Sequence, residues 1–210
     1  WVVARLSDDA PPLLWDVPDT EMLLEVADTV GAVAIALDVP IGLPDDGVRA
    51  CDVAARRSLA RGGGASSVFA APTRRVLSAT GYAQARALQP SLSAQSFALV
   101  PRIREVDDAL RRRGPAVHDR VVECHPEVVF RRLAGFPVIR KKSAAGALQR
   151  IGVLTDALGS LPRVGPVGAA IDDALDALAC AWTARRWARG EADVLGDEVD
   201  GKGVPMRIVV

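Results

Sequence analysis

Asp38 closes an apolar run in Asp38-Val39-Pro40-Ile41-Gly42, and Asp172, Asp173 and Asp176 stand together in an otherwise uncharged stretch far downstream. Carboxylate oxygens are the ligands that hard divalent cations take, and two such ions side by side can drive phosphodiester hydrolysis. A strand-end carboxylate converging with a helical pair would supply such a site. Glu123, in Val121-Val122-Glu123-Cys124-His125-Pro126-Glu127, ends a second apolar run and is a further candidate ligand or base. His125 is one of two histidines, and reads either as a proton carrier or as a helix-entry cap. Arg102 and Arg104, in Pro101-Arg102-Ile103-Arg104-Glu105-Val106-Asp107, could hold a phosphate.

Each of these has a plainer reading. Ile171, Leu175, Leu178 and Trp182 recur at helical spacing, which puts the three aspartates on the opposite side, where they could be a solvated face favoured by a nearby helix N-terminus. Against this, no charge appears from Ala177 to Ala184, so the helix is expected to be covered on both sides. Asp173 and Asp176 then lie about one turn apart and could share an ion, which would offset the cost of burying them. Asp38 could merely cap a turn, but ligands of open α/β sheets bind at the carboxyl ends of strands, where it falls. Ser66 or Ser67 with His125 would suggest a nucleophilic hydrolase, yet neither serine sits in a G-x-S-x-G elbow. Arg61-Gly62-Gly63-Gly64 lacks the Gly-Lys-Ser/Thr of a phosphate loop and reads as a connection. Arg111-Arg112-Arg113 and Arg140-Lys141-Lys142 read as solvated surface in a chain without net charge.

The elements that must position these groups alternate. Trp1–Leu6 and Leu13–Asp16 are expected strands, Asp19–Thr29 a helix, and Ala32–Leu37 a strand buried on both faces. Val48–Ala60 is expected to be helical and Ser66–Phe69 briefly extended. Tyr82–Leu88 and Ser93–Arg113 follow as helices, the second interrupted by Pro101. Ala116–Cys124 reads as the second buried strand, Pro126–Leu133, Ala144–Leu158 and Pro166–Arg189 as helices, and Met206–Val210 as a terminal strand. This order predicts an α/β sheet flanked by helices.

At 210 residues and 50% hydrophobic content the chain fits one domain with a substantial core. Its 26 basic and 26 acidic residues cancel, so any attraction to nucleic acid must come from local patches. Cys51, Cys124 and Cys180 are scattered, which argues against a zinc site and for a reducing, cytoplasmic setting. No segment is long and apolar enough to span a membrane, so no membrane partner is expected.

These blocks resemble Domain of Unknown Function 429, a family of predicted nucleases with an RNase H-like fold. The resemblance is carried almost end to end, by Asp38 to Gly42, Arg49-Ala50-Cys51-Asp52 with Ala55-Arg56-Arg57, and Ser66-Ser67-Val68-Phe69. It continues through Pro72 with Arg74, Pro101 to Asp107, Glu123 to Glu127, Lys141-Lys142 and Asp172 to Ala177. It implies a single RNase H-like domain over 1–210, a mixed sheet flanked by helices, with a helical insertion at about 45–113. The helix block also resembles the final helix of RuvC-like Holliday-junction resolvases, which implies Asp38, Asp173 and Asp176 as ligands of two Mg²⁺ or Mn²⁺ ions. Glu123 would be an added ligand or base, His125 a proton carrier, and Arg102 and Arg104 contacts to the scissile phosphate of DNA or RNA. Family members open on a strand bearing Gly-x-Asp, and this chain opens after it. The resemblance therefore implies an upstream strand between Trp1–Leu6 and Ala32–Leu37, a strand-wide gap between those two in this chain, and a poor nuclease without it. The rivals are a non-catalytic binding module of the same fold, and an ATPase of the actin and sugar-kinase type.

Overall fold

In the computed structural model, which describes residues 1–60 and 64–210, the first two apolar runs form a hairpin. β1 (Val2–Arg5) lies antiparallel to β2 (Leu13–Asp16), with Val2 opposite Asp16 and Arg5 opposite Leu13. Asp19 then caps α1 (Thr20–Thr29), its carboxylate accepting from the Met22 amide at 2.8 Å, and the helix buries Leu23, Leu24 and Ala27. After β3 (Ile35–Leu37) come α2 (Ala50–Ala60), α3 (Tyr82–Leu88), α4 (Ala94–Arg113) and α5 (Val117–Arg120). The chain then runs through β4 (Val121–Cys124), α6 (Pro126–Ala134), α7 (Ala144–Leu158), α8 (Ile171–Ala188), β5 (Val194–Val199) and β6 (Pro205–Val209).

The result is a mixed α/β fold. β3, β4 and β6 are parallel neighbours, and β5 closes the edge antiparallel to β6. All four residues of β4 are buried, as a central strand requires. One core gathers Ile35, Leu37 and Val121 with α1 and α4. A second gathers Cys124 and Ile208 with α6, α7 and α8.

Several elements depart from expectation. Only the last part of Ala116–Cys124 is extended, because the Gly114 and Pro115 carbonyls accept from the Val117 and His118 amides and wind one helical turn first. Ser66–Phe69 is not a strand, since Gly64–Ser67 forms a 3₁₀ turn; residues 61–63 of the glycine connection lie outside the described residues. α4 runs through Pro101 unbroken, because Val100, Ile103, Val106, Ala109 and Leu110 are all buried, and that packing offsets the one hydrogen bond proline removes. α8 starts at Ile171, not Pro166, since Gly168 at φ 93° keeps the approach non-helical. β5 has no counterpart among the expected strands. It is a polar, bulged edge strand, and such strands carry charge instead of an apolar pattern.

Among the described residues β1 pairs with β2 alone and β3 with β4 alone, so no ladder there joins the hairpin to the main sheet. α8 packs against both strands, and a cavity of about 1110 Å³ lies between them, lined by β1, β3, α1 and α8. The small side chains Ala177, Ala181 and Ala184 on α8 leave that space open.

The turn after β3 is fixed by a buried cation. The Arg49 guanidinium, 1% exposed, donates to Glu123 Oε2 at 2.6 Å and Oε1 at 2.8 Å, and to the Ile41 and Gly42 carbonyls at 3.1 and 3.2 Å. Asp52 takes its remaining donors and accepts from the Ala71 amide. Glu123 also accepts from the Ile41 amide at 2.7 Å. Gly42, at φ 72°, lies so close to β6 that a Cβ would stand 2.6 Å from the Pro205 carbonyl oxygen. A larger residue would fit neither the backbone conformation nor the space.

Removing one partner of such a group strands the others in the interior. Arg49→Ala is therefore expected to destabilise the fold by about 3–5 kcal/mol, read as a lowered denaturant midpoint with an unchanged slope. A loss below about 1 kcal/mol would mean that this cation does not hold the turn.

Candidate functional site

The residue after β3 inherits the alternation of the strand. Ala36 and Asp38 share one side and Leu37 the other, which turns Asp38 toward α8 at the end of the cavity. Asp173 and Asp176 line the same cavity from α8, so Asp38, Asp173 and Asp176 face one space. Asp176 is 8% exposed, and its Oδ1 is buried with no hydrogen-bond partner. Its Oδ2 accepts from Lys141 Nζ at 2.6 Å, and the same ammonium stands 3.8 Å from Asp172 Oδ2. Asp172 and Asp176 are one helical turn apart, so the lysine reaches both. Asp172 thus faces the lysine while Asp173 faces the cavity.

The electrostatics follow from enclosure. Asp38 has accessible surface only because it opens on the cavity; protein atoms crowd it otherwise. That enclosure, then the charge of Asp176, pushes its carboxyl up to about 7, against the pull of Lys141. Burial raises Asp176 too, and the hydrogen bond and charge of Lys141 only partly oppose it. Burial would lower Lys141, but its bond to Asp176 and the charges of Asp176, Asp172 and Asp38 outweigh this and hold it above its ordinary value. Glu127, nearby, is neutralised by Arg150 through two contacts of 2.8 Å. The cluster is left with more carboxylates than cations.

The other expected site residues are placed elsewhere. Glu123 pairs in register with Leu37, on the opposite side of the sheet from Asp38, and both its oxygens are taken by Arg49 and the Ile41 amide. Burial pushes Glu123 up and Arg49 pulls it down; acceptors facing only donors are satisfied by the ionised form. It serves the turn, not the cluster. His125 is half-buried at the start of α6 and its Nδ1 has no partner, and desolvation lowers its pKa, which favours the neutral ring. It does not line the cavity. Arg102 stacks on the Trp1 ring at 4.6 Å and pairs with Glu105 at 2.8 Å. Arg104 donates to the Leu77 and Ala79 carbonyls. Both arginines are committed to holding α4 against its neighbours. Ser67 Oγ donates to the Gly64 carbonyl at 2.6 Å.

Sequence reasoning left Lys141 on the surface. No local signal places a loop lysine against a helix some thirty residues on; only the packing of α7 on α8 does so. In kind, the donors suit a hard, oxygen-ligated cation, and the orphaned Asp176 oxygen is the sign of a missing partner. Among the described residues, no three His, Cys, Asp or Glu side chains gather into a group that could hold a metal ion.

The family described as Protein of unknown function (DUF429) matches residues 1–201, and the chain belongs to that family. No curated protein and no solved structure matches the chain. Among the described residues no helix is long and apolar enough to cross a membrane. Cys51, Cys124 and Cys180 are free and buried.

A carboxyl raised in the folded state binds a proton that the unfolded chain, at ~3.9, has already lost. Its contribution to stability therefore falls as pH rises from ~4 to about 7, and is level above that. Asp38→Asn is expected to match the native protein near pH 4 and to be the more stable at pH 8. Water in the cavity screens the charge, so the gap is set at about 1 kcal/mol, or about 2–4 °C in thermal melts. Parallel melting curves across the whole range would show that Asp38 titrates normally.

Proposed function

We propose that this DUF429 protein is a metal-dependent nuclease of RNase H-like architecture, acting on phosphodiester bonds with Mg²⁺ or Mn²⁺. The observation that carries the reading is that Asp38, from a strand end, and Asp173 and Asp176, from one turn of a distant helix, line one cavity, and that one Asp176 oxygen lacks a partner. Asp38, Asp173 and Asp176 would hold the cation, which when bound would polarise a phosphoryl oxygen and lower the pKa of an attacking water. The turn fixed by Arg49 orients Asp38, and burial in α8 orients Asp176. Glu123, Arg102 and Arg104 have no part in this reading, because each is committed elsewhere, and His125 has none because it does not line the cavity. Phosphate contacts fall instead to Arg140 and Lys142, which are exposed on either side of Lys141. A cytoplasmic location accords with three unpaired thiols.

The second reading is a non-catalytic module, and the cavity favours it. Among the described residues, two unpaired strand edges flank a slot of mixed polar and apolar lining, a geometry suited to receiving an extended segment. The ATPase reading has no comparable support, since its glycine-turn candidate lies partly at 61–63, outside the described residues.

The natural full-length protein, given single-stranded, duplex, hybrid and branched substrates, is expected to cleave at least one with Mn²⁺ and none with a chelator. Asp176→Asn is expected to lower that rate by at least about 10²-fold and to abolish the rise in Tm on adding Mn²⁺. A variant that keeps the full metal-induced rise would exclude Asp176 as a ligand. Binding of an extended peptide without cleavage of any substrate would favour the second reading.

A further inference from the structure

The 137–143 segment is built around a single side chain. Its backbone is tied down on both sides of Lys141. The Ile139 amide donates to Gln149 at 2.7 Å, and the Ile139 carbonyl accepts from Arg150 at the same distance. The Arg140 carbonyl accepts from Ser143 Oγ at 2.9 Å, and Ser143 caps α7 through the Gly146 amide. Gly146 is buried against the Arg140 carbonyl, where any Cβ would collide with it. The loop is thereby clamped to the first turns of α7, and Lys141 is the residue it sends toward α8. The neighbours Arg140 and Lys142 are exposed.

Resting on the metal-dependent reading above, we propose that Lys141 is the resident cation of the Asp172–Asp176 cluster and competes with divalent metal for it, so that metal enters only as the ammonium withdraws. Nζ lies 2.6 Å from one Asp176 oxygen and 3.8 Å from an Asp172 oxygen, while the second Asp176 oxygen, buried, has no partner. An ammonium is a compact point charge that satisfies one carboxylate oxygen closely; it cannot bridge several as a divalent ion does. The four-carbon stem can swing out without moving the clamped backbone, and the adjoining cavity gives it room. This accounts for the lack of a gathered ligand group: a lysine stands against Asp172 and Asp176. The arrangement keeps the aspartates from repelling one another in the absence of metal, and it sets a threshold of metal concentration for occupancy.

Mn²⁺ binding to the full-length protein, counted by the loss of the free-ion EPR signal, tests this without recourse to activity. Lys141→Met, which keeps the stem and removes the charge, is expected to bind Mn²⁺ at least tenfold more tightly and to melt lower without metal. Lys141→Arg keeps the charge but engages carboxylates through a planar fork, and is expected to bind at least tenfold more weakly with the fold intact. If Lys141→Met does not fold without metal, the arginine variant alone decides. Native binding that is unchanged or weakened in the folded methionine variant, or unchanged in the arginine variant, would overturn the competition while leaving the metal site standing. No Mn²⁺ bound by the native protein or either variant would overturn both.

Discussion

Arg49 is the residue on which the rest of this structure depends. A guanidinium almost wholly removed from water must have every donor met, and here two carboxylates and two carbonyls meet them. The partners come from α2, from β4 and from the turn after β3, so one side chain joins a helix, a central strand and a loop. The turn it fixes contains Asp38 at its start and Gly42 at its tight approach to β6. Without that anchor the end of β3 would have no defined direction.

A second buried arginine network extends the same logic. Arg74 bridges Asp107 of α4 and Asp200 of the β5–β6 turn, and Asp200 also accepts from the Leu43 amide at 3.0 Å. The loop leaving β3 is therefore held at both of its ends by carboxylates drawn from distant parts of the chain. Such networks are costly to half-complete, and both are complete at their carboxylates. The contrast with the α8 cluster is the most useful distinction in the molecule. Glu123, Asp52 and Asp200 have their charge met by arginine and backbone amides. Asp176 has one oxygen met by a lysine and the other met by nothing. Satisfied carboxylates hold the fold, and of these four only Asp176 keeps an oxygen with no hydrogen-bond partner.

The cavity gives that cluster its setting. Alanines on α8 and the gap between β1 and β3 make a space of mixed lining, which Asp38, Asp173, Asp176 and Lys141 share. Desolvation, and after it the charge of Asp176, push Asp38 toward neutrality, and Lys141 opposes them.

Much of this was legible in the residues alone. Continuous apolar runs gave the buried strands, the stripe of Ile171, Leu175, Leu178 and Trp182 gave α8, though Ile171 at its first turn is exposed, and the absence of charge from Ala177 to Ala184 gave its burial on both sides. The facing of Asp38, Asp173 and Asp176 also followed from a strand end and a helical period. What needed the tertiary structure was every pairing between elements far apart in sequence. Glu123 looks like Asp38 in sequence, each a carboxylate ending an apolar run. Strand register, which turns Glu123 with Leu37 and away from Asp38, separates them. Arg102, Arg104 and Lys141 all read as surface or phosphate-binding cations, and only packing shows two of them holding α4 and the third half-buried against an aspartate. Local sequence carries periodicity and capping, which act over a few residues. The partner of a charge is chosen by the fold, across distances the sequence does not encode locally.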